Sequence, residues 1–368
     1  MREEVIMSEQ MYIHMGPQHP VNHGLWTLKV KTAGELVIGA EVLIGYVFRM
    51  IEKIAESRPY NAFQPLTNRL CYVSAMSWEA TYTMAVEKLM GVEVSKRAQY
   101  IRTIMLELQR IASHLTWLSA YSTDVGVVTM LVIAYREREY VLDLLEHVTG
   151  SRMMYNYFTA GGLHRDLPKG FKEDCYSLMH YLEERLKEYR AILDDSKVFM
   201  LRSEKVGIIT KNDALNFGAT GPVLRASGVQ ADLRKIEPYL VYNELEFDIP
   251  MRTAGDCYAR YEIRMEEMFQ SIRIIRQALD QMPSEGEIYQ KAPRKLPKGD
   301  IYFRTEDPRG EAAFYIVGND DRVPYRVKIK SPAYSNLAMS NYILKGGKVA
   351  DIAPTVASLD LCMGEIDR

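Results

Sequence analysis

The apolar residues of this chain change their repeat twice, and that change limits the folds open to it. Near the N-terminus Trp26, Leu28 and Val30 alternate with Thr27, Lys29 and Lys31, a period of two that reads as a strand. Ala33-Gly34-Glu35 is a plausible turn, after which Leu36-Val37-Ile38 resumes the strand. From Pro65 the repeat becomes three-four. Pro65 and Gly91 bracket one expected helix. Ser95 can cap the next, along which Ile101, Ile104, Met105, Leu108, Ile111, Ala112, Leu115 and Leu118 share a face. Further helices are expected near 127–148, 172–193 and 258–281, with capping-box-like spacing at Thr210 and Asp213. Period two returns at Phe314–Val317 and Tyr325–Ile329 around the turn-like Gly318-Asn319-Asp320-Asp321. A short helix near 349–359 and a polar tail, 360–368, end the pattern. The expected fold is α+β. A central helical bundle (65–285) is flanked by an N-terminal β region (1–64) and a C-terminal β region with tail (286–368).

Composition narrows the function. In 368 residues Lys plus Arg number 46 and Asp plus Glu 48, so bulk positive charge is absent and nucleic acid is not an expected partner. Four scattered cysteines form no C-x-x-C pair and indicate a reducing compartment. The longest apolar run, near 127–134, is far short of the roughly 20 residues a membrane span needs. The first ten residues carry acids and lack the apolar stretch of a signal peptide, so a soluble cytoplasmic chain is expected. Twenty Met and 24 Tyr suit adaptable contact surfaces or an apolar ligand chamber. Neither G-x-G-x-x-G nor a P-loop is present, and G-x-S-x-G and H-E-x-x-H are also missing, so no self-contained hydrolase or dehydrogenase is indicated.

Chemistry therefore rests on isolated side chains. His19 and His23 sit in a loop shaped by Gly16, Pro17, Pro20 and Gly24; they either bond loop backbone or donate protons near neutral pH. Tyr72 reads as core or as site. Asp124 interrupts an uncharged stretch, where it either caps the following helix or holds a histidine in its charged form.

Gly16-Pro17-Gln18-His19-Pro20-Val21-Asn22-His23-Gly24 resembles the loop signature of the 49-kDa-type (D-type) subunit of respiratory complex I, a family related to the large subunit of [NiFe] hydrogenases. The resemblance runs in order through 85–89, Gly161-Gly162-Leu163-His164-Arg165-Asp166-Leu167-Pro168, Gly221-Pro222-Val223-Leu224-Arg225-Ala226-Ser227-Gly228, 255–261 and Gly364-Glu365-Ile366-Asp367-Arg368, and so covers essentially the whole chain. It implies a hydrogenase-large-subunit-like fold and a chamber for a quinone or methanophenazine head group. Electrons would come from a [4Fe–4S] cluster held by an adjacent small hydrogenase-like protein of the B type. Other implied partners are proteins of the C, ferredoxin-like I and membrane H types, in a peripheral arm on the cytoplasmic face of an ion-translocating membrane complex. Carried over residue by residue, His23 and Tyr72 would hydrogen-bond the head group, and Asp124 would pair with His23. Arg49 would lie close to the terminal cluster; its other reading is a surface ion pair with Glu52.

Three departures from the family pattern stand out. Met154 replaces a histidine that donates to the cluster in many members, which would lower the cluster potential and suit a low-potential acceptor. Cys71 and Cys362 fall where [NiFe] hydrogenases begin their two nickel-binding C-x-x-C pairs, but the partner positions are Ser74 and Glu365. Four soft thiolates are needed there, so a relic is expected and no metal. These features point to an archaeal enzyme oxidising reduced coenzyme F-420, with an NADH- or ferredoxin-fed menaquinone enzyme as the alternative. A hydrogenase-type catalytic subunit is disfavoured by the incomplete cysteine pairs.

Overall fold

The computed structural model describes residues 10–19 and 23–368. Its α+β architecture matches the expectation. β1 (Gln10–Met15), β2 (Thr27–Ala33) and β3 (Leu36–Leu43) form an antiparallel meander. A short hairpin pairs β4 (Phe158–Thr159) with β5 (Gly162–Leu163). β6 (Gly299–Asp307), β7 (Gly310–Gly318) and β8 (Arg326–Lys330) form a second antiparallel meander. β1 and β6 complete sheets of which the repeat revealed only the other strands.

Lys96–Val125 is the central helix, about 45 Å long at 1.5 Å per residue. Ser95 caps it by accepting from Ala98 N, and Gly126 ends it in the left-handed region. It packs against Thr129–Thr149, Cys257–Gln281 and Ile352–Ser358. Ala75–Met90 lies across β6 and β7. The main core joins Trp26 and Leu28 of the N-terminal region to the bundle and to Leu361, Met363 and Ile366.

Two expectations are corrected. Pro65 starts no helix. It lies inside Tyr60–Thr67, and a break at 68–74 separates that helix from Ala75–Met90. Proline removes a donor and clashes with the preceding turn, so a short helix that stops soon after it fits the physics better than seven turns. Nor is 360–368 a polar tail: Asp360, Leu361, Cys362, Met363 and Glu365 are all buried. The segment threads between the N-terminal loop and the bundle, where Asp367 accepts from Gly45 N and Val47 N, both at 2.9 Å.

Candidate functional site

The buried C-terminal segment builds the site. His23 N donates to Leu361 O at 3.1 Å and His23 O accepts from Met363 N at 2.7 Å, so the histidine is pinned beside Cys362. Gly24 permits this approach: its φ is +110°, and a Cβ there would lie 2.8 Å from Met363 Cβ. On the other side, a Cβ on Gly364 would lie 2.6 Å from Leu70 O. The same segment thus presses against the helix break that carries Cys71 and Tyr72. As a result His23 Nδ1 and Tyr72 Oη come within 3.1 Å, with their rings edge to face.

Behind the pair, His23 Nε2 faces Asp360 Oδ1 at 3.5 Å. Arg309 holds Asp360 through Nη2 to Oδ1 at 2.9 Å and Nε to its carbonyl at 3.0 Å. Burial would raise the Asp360 pKa, but the Arg309 charge and the His23 contact hold it well below the usual carboxylate range. An ionised Asp360 favours a ring proton on Nε2; when Nδ1 is protonated as well, its N–H donates to Tyr72 Oη and leaves the phenol O–H free. Burial, with Cys362 and Cys71 nearby, pushes the Tyr72 phenol above its ordinary value. Tyr72 is nevertheless 40% exposed. One hydroxyl, backed by a titratable ring and a fixed carboxylate, therefore faces outward as a proton donor.

Asp124 takes no part in this arrangement. Both ring nitrogens of His23 are engaged by Tyr72 and Asp360. Asp124 lies at the end of the central helix; burial pushes its carboxyl up to about 6, against the Arg202 charge. The pairing carboxylate thus comes from the segment expected to be a polar tail. The composition of that segment carried a signal, since Leu361, Cys362, Met363 and Ile366 are too apolar for a tail in water.

The other singled-out residues are spread around this centre. Arg49 donates to Arg69 O at 2.7 Å and Gly364 O at 3.1 Å, clamping the same segment from the rim. Glu52 instead pairs with Lys328 at 2.5 Å and Arg368 at 3.5 Å, which removes the ion-pair reading of Arg49. His19 is half-buried, and burial pulls its pKa below the ordinary value. Pro20, Val21 and Asn22, between the two loop histidines, lie outside the described residues. Met154 has φ +58° and packs against the main core.

Cys71, Cys362 and Glu365 converge beneath Tyr72, their ligand atoms within 4.8 Å of one another and all three side chains buried. Glu365 accepts from Trp78 Nε1, Ser331 Oγ and Ala333 N, each at 3.0 Å. Burial and the neighbouring Cys71 and Asp307 push its carboxyl well up, and burial does the same to the Cys71 thiol.

Residues 124–296 and 292–368 match the family described as respiratory-chain NADH dehydrogenase, 49 Kd subunit. Residues 49–124 match the nickel-dependent hydrogenase family. The D subunit of NADH-quinone oxidoreductase from Desulforamulus reducens is 42% identical over 98% of this chain and 99% of its own length. The D subunit of F(420)H(2) dehydrogenase from Methanosarcina mazei is 41% identical over the full length of both chains. A chain of the membrane-bound sulfane sulfur reductase, an archaeal respiratory membrane complex, superposes with a TM-score of 0.94 at 34% identity, covering 98% of this chain and 99% of that one. The nickel implied by the hydrogenase match does not suit the donors here. The pocket offers two sulfurs where four thiolates are needed, and hydrogen-bond donors already occupy the Glu365 carboxylate.

Proposed function

The chain belongs to the family of the respiratory-chain NADH dehydrogenase 49 Kd subunit, and from that premise we propose that His23 and Tyr72 form the reduction site for a lipid-soluble quinone-type carrier. The protein is the D-type component of a complex I-like oxidoreductase and acts within that assembly. The observation that carries the site reading is the 3.1 Å contact between His23 Nδ1 and the Tyr72 hydroxyl, with Tyr72 still open to solvent.

Reducing a quinone to a quinol takes two electrons and two protons. Electrons would be supplied by a [4Fe–4S] cluster of an adjacent B-type protein. Tyr72 O–H donates to the carbonyl oxygen as negative charge develops there, and an ordered donor of this kind is worth about a hundredfold or more in rate. Proton transfer from His23 refills the phenol, and Asp360 stabilises the imidazolium until then. A methanophenazine ring nitrogen takes protons by the same route.

Tyr46, Phe48 and Met50 form an exposed apolar rim beside Arg49, which suits docking of the cluster-bearing partner. No helix among the described residues is long and apolar enough to cross a membrane. In this reading the chain sits in a peripheral arm on the cytoplasmic face, in contact with proteins of the C, I and membrane H types, and ion translocation belongs to the membrane components. Met154, where many relatives carry a histidine that donates to the cluster, favours a low-potential couple, with reduced coenzyme F-420 as donor and methanophenazine as acceptor; the F(420)H(2) dehydrogenase relative, at 41% identity, is about as similar as the NADH-quinone relatives. Assays of the purified complex with reduced F-420, NADH and ferredoxin decide the donor.

Tyr72→Phe and His23→Ala, made in the assembled complex, test the site. Both are expected to lower reduction of the lipid acceptor about a hundredfold while the Fe–S cluster still fills with electrons. Acceptor turnover within twofold of wild type in both variants overturns the reading.

A further inference from the structure

The central helix carries a polar stripe that the site has not used. Glu107, Arg110, His114 and Trp117 follow three-four spacing on Lys96–Val125, and all are buried. The stripe faces Arg264, Glu267 and Ser271 on Cys257–Gln281, where Ser271 donates to Glu107 at 2.6 Å and His114 Nε2 meets Glu267 at 2.9 Å. Arg225 ties this seam to β6, with Nη2 on Glu267 at 2.6 Å and Nη1 on Glu306 at 2.7 Å. Glu306 opens onto a surface cavity of about 270 Å³, also lined by Asp232, Arg304, Glu311 and Lys330. At the seam's other end the Arg264 charge acts on Asp360, which faces His23.

Guanidinium groups do not release protons, so the chain of proton carriers breaks twice. The first break, at Arg225, separates Glu306 from Glu267. The second separates His114 from Asp360. Buried atoms without a hydrogen-bond partner occur at both places: Arg110 Nη1 beside the first, where Arg110 Nε reaches only Glu107 at 3.4 Å, and His114 Nδ1, Arg264 Nε and Nη2, and Asp360 Oδ2 around the second. Buried polar atoms are nearly always satisfied, and a cluster of unsatisfied ones marks a place for ordered water.

Building on the reduction site assigned above, we infer that Glu306, Glu267, His114 and Asp360, joined by internal water at the two breaks, form a proton line from the surface cavity to His23 and Tyr72. Each turnover takes two protons from the site, and the line returns them from bulk water. Burial would raise Glu267 and Asp360, but Arg225 and His114 hold the first, and Arg309 and His23 the second, well below the ordinary carboxylate value, so both rest ionised and serve only as transient proton acceptors between the two ends. Burial and the adjacent Asp232 push Glu306 up to about 7, against the opposing charges of Arg225 and Arg110. Tyr239 Oη, which accepts from Glu306 N, and Arg304, Glu311 and Lys330 at the cavity complete its surroundings. Burial pulls His114 below its ordinary value, with Arg264 and Arg110 acting in the same direction and Glu267 opposing.

Two near-isosteric variants test the line in the assembled complex. Glu306→Gln keeps the acceptor for Arg225, and His114→Gln can keep the bond to Glu267. The probes are reduced methyl viologen as donor and a water-soluble naphthoquinone as acceptor. In each variant kcat is expected to fall about tenfold with KM unchanged. The solvent deuterium isotope effect should rise, the pH dependence near 7 should be lost in Glu306→Gln, and viologen reduction of the Fe–S clusters should stay at wild-type speed. If either variant fails to assemble, the other carries the test. If kcat and isotope effect remain within twofold of wild type while Tyr72→Phe is inactive, the line falls and the reduction site stands. If Tyr72→Phe also turns over normally, both fall.

Discussion

The outer rim of the site and the seam behind it use the same residue types under opposite conditions. At the rim, Tyr72 and His23 form one contact with each other and keep a face toward solvent. In the seam, Arg225, Arg234, Arg309, Glu267 and Asp360 are fully enclosed, with charges matched at 2.6–3.1 Å. Buried ions tolerate this only when paired, because desolvation alone costs several kcal/mol per ion. A substrate can engage the rim since its donors are not saturated. The seam holds its geometry because it has little freedom to change partners.

Breaking the seam should have the largest effect. Arg309→Leu leaves Asp360 ionised without its main partner and is expected to cost about 3–5 kcal/mol, read as lost assembly or a lowered unfolding temperature of the complex. Replacing Asp360 by Leu as well should recover part of that loss. A cost below about 1 kcal/mol for Arg309→Leu would show that the pairing is not structural.

Glu79 sharpens the comparison from the carboxylate side. It accepts from Phe158 N at 2.8 Å, yet burial pushes it up from 4.5 to about 7. The folded chain therefore binds more protons than the unfolded chain between those values. The contribution of Glu79 to stability is greatest below about pH 4.5 and declines by about 3 kcal/mol as pH rises to 7. Hydrogen exchange at the Phe158 amide should follow that slope, and Glu79→Gln should flatten it; an unchanged slope refutes the assignment. The smallest effect belongs to the surface, where Arg252 meets Glu262 at 3.0 Å in partial exposure. Arg252→Ala is expected to cost less than about 1 kcal/mol in thermal unfolding.

The legible parts of the sequence were those decided locally. Ser95, Gly91 and Gly150 mark helix ends because capping and left-handed backbone depend on a residue and its near neighbours. The alternation of Trp26, Leu28 and Val30 announces a buried sheet face for the same reason. Pro65 was misleading because proline suits a helix start, whereas here it sits inside a short helix that ends at Thr67. His23 and Tyr72 were identified only through the family resemblance, since nothing in their neighbourhoods distinguishes a site tyrosine from a core one.

The order of residues alone was enough for the succession of strand, long helix and strand, for the helix boundaries set by caps, and for the family. Which carboxylate serves His23 was settled only by the folded chain. Asp360 reaches the site because the C-terminal segment is apolar enough to be drawn into the core, and because Gly364 within it and Gly24 in the loop it meets let it fit between two backbones. That choice depends on packing between opposite ends of the chain, where local periodicity carries no information.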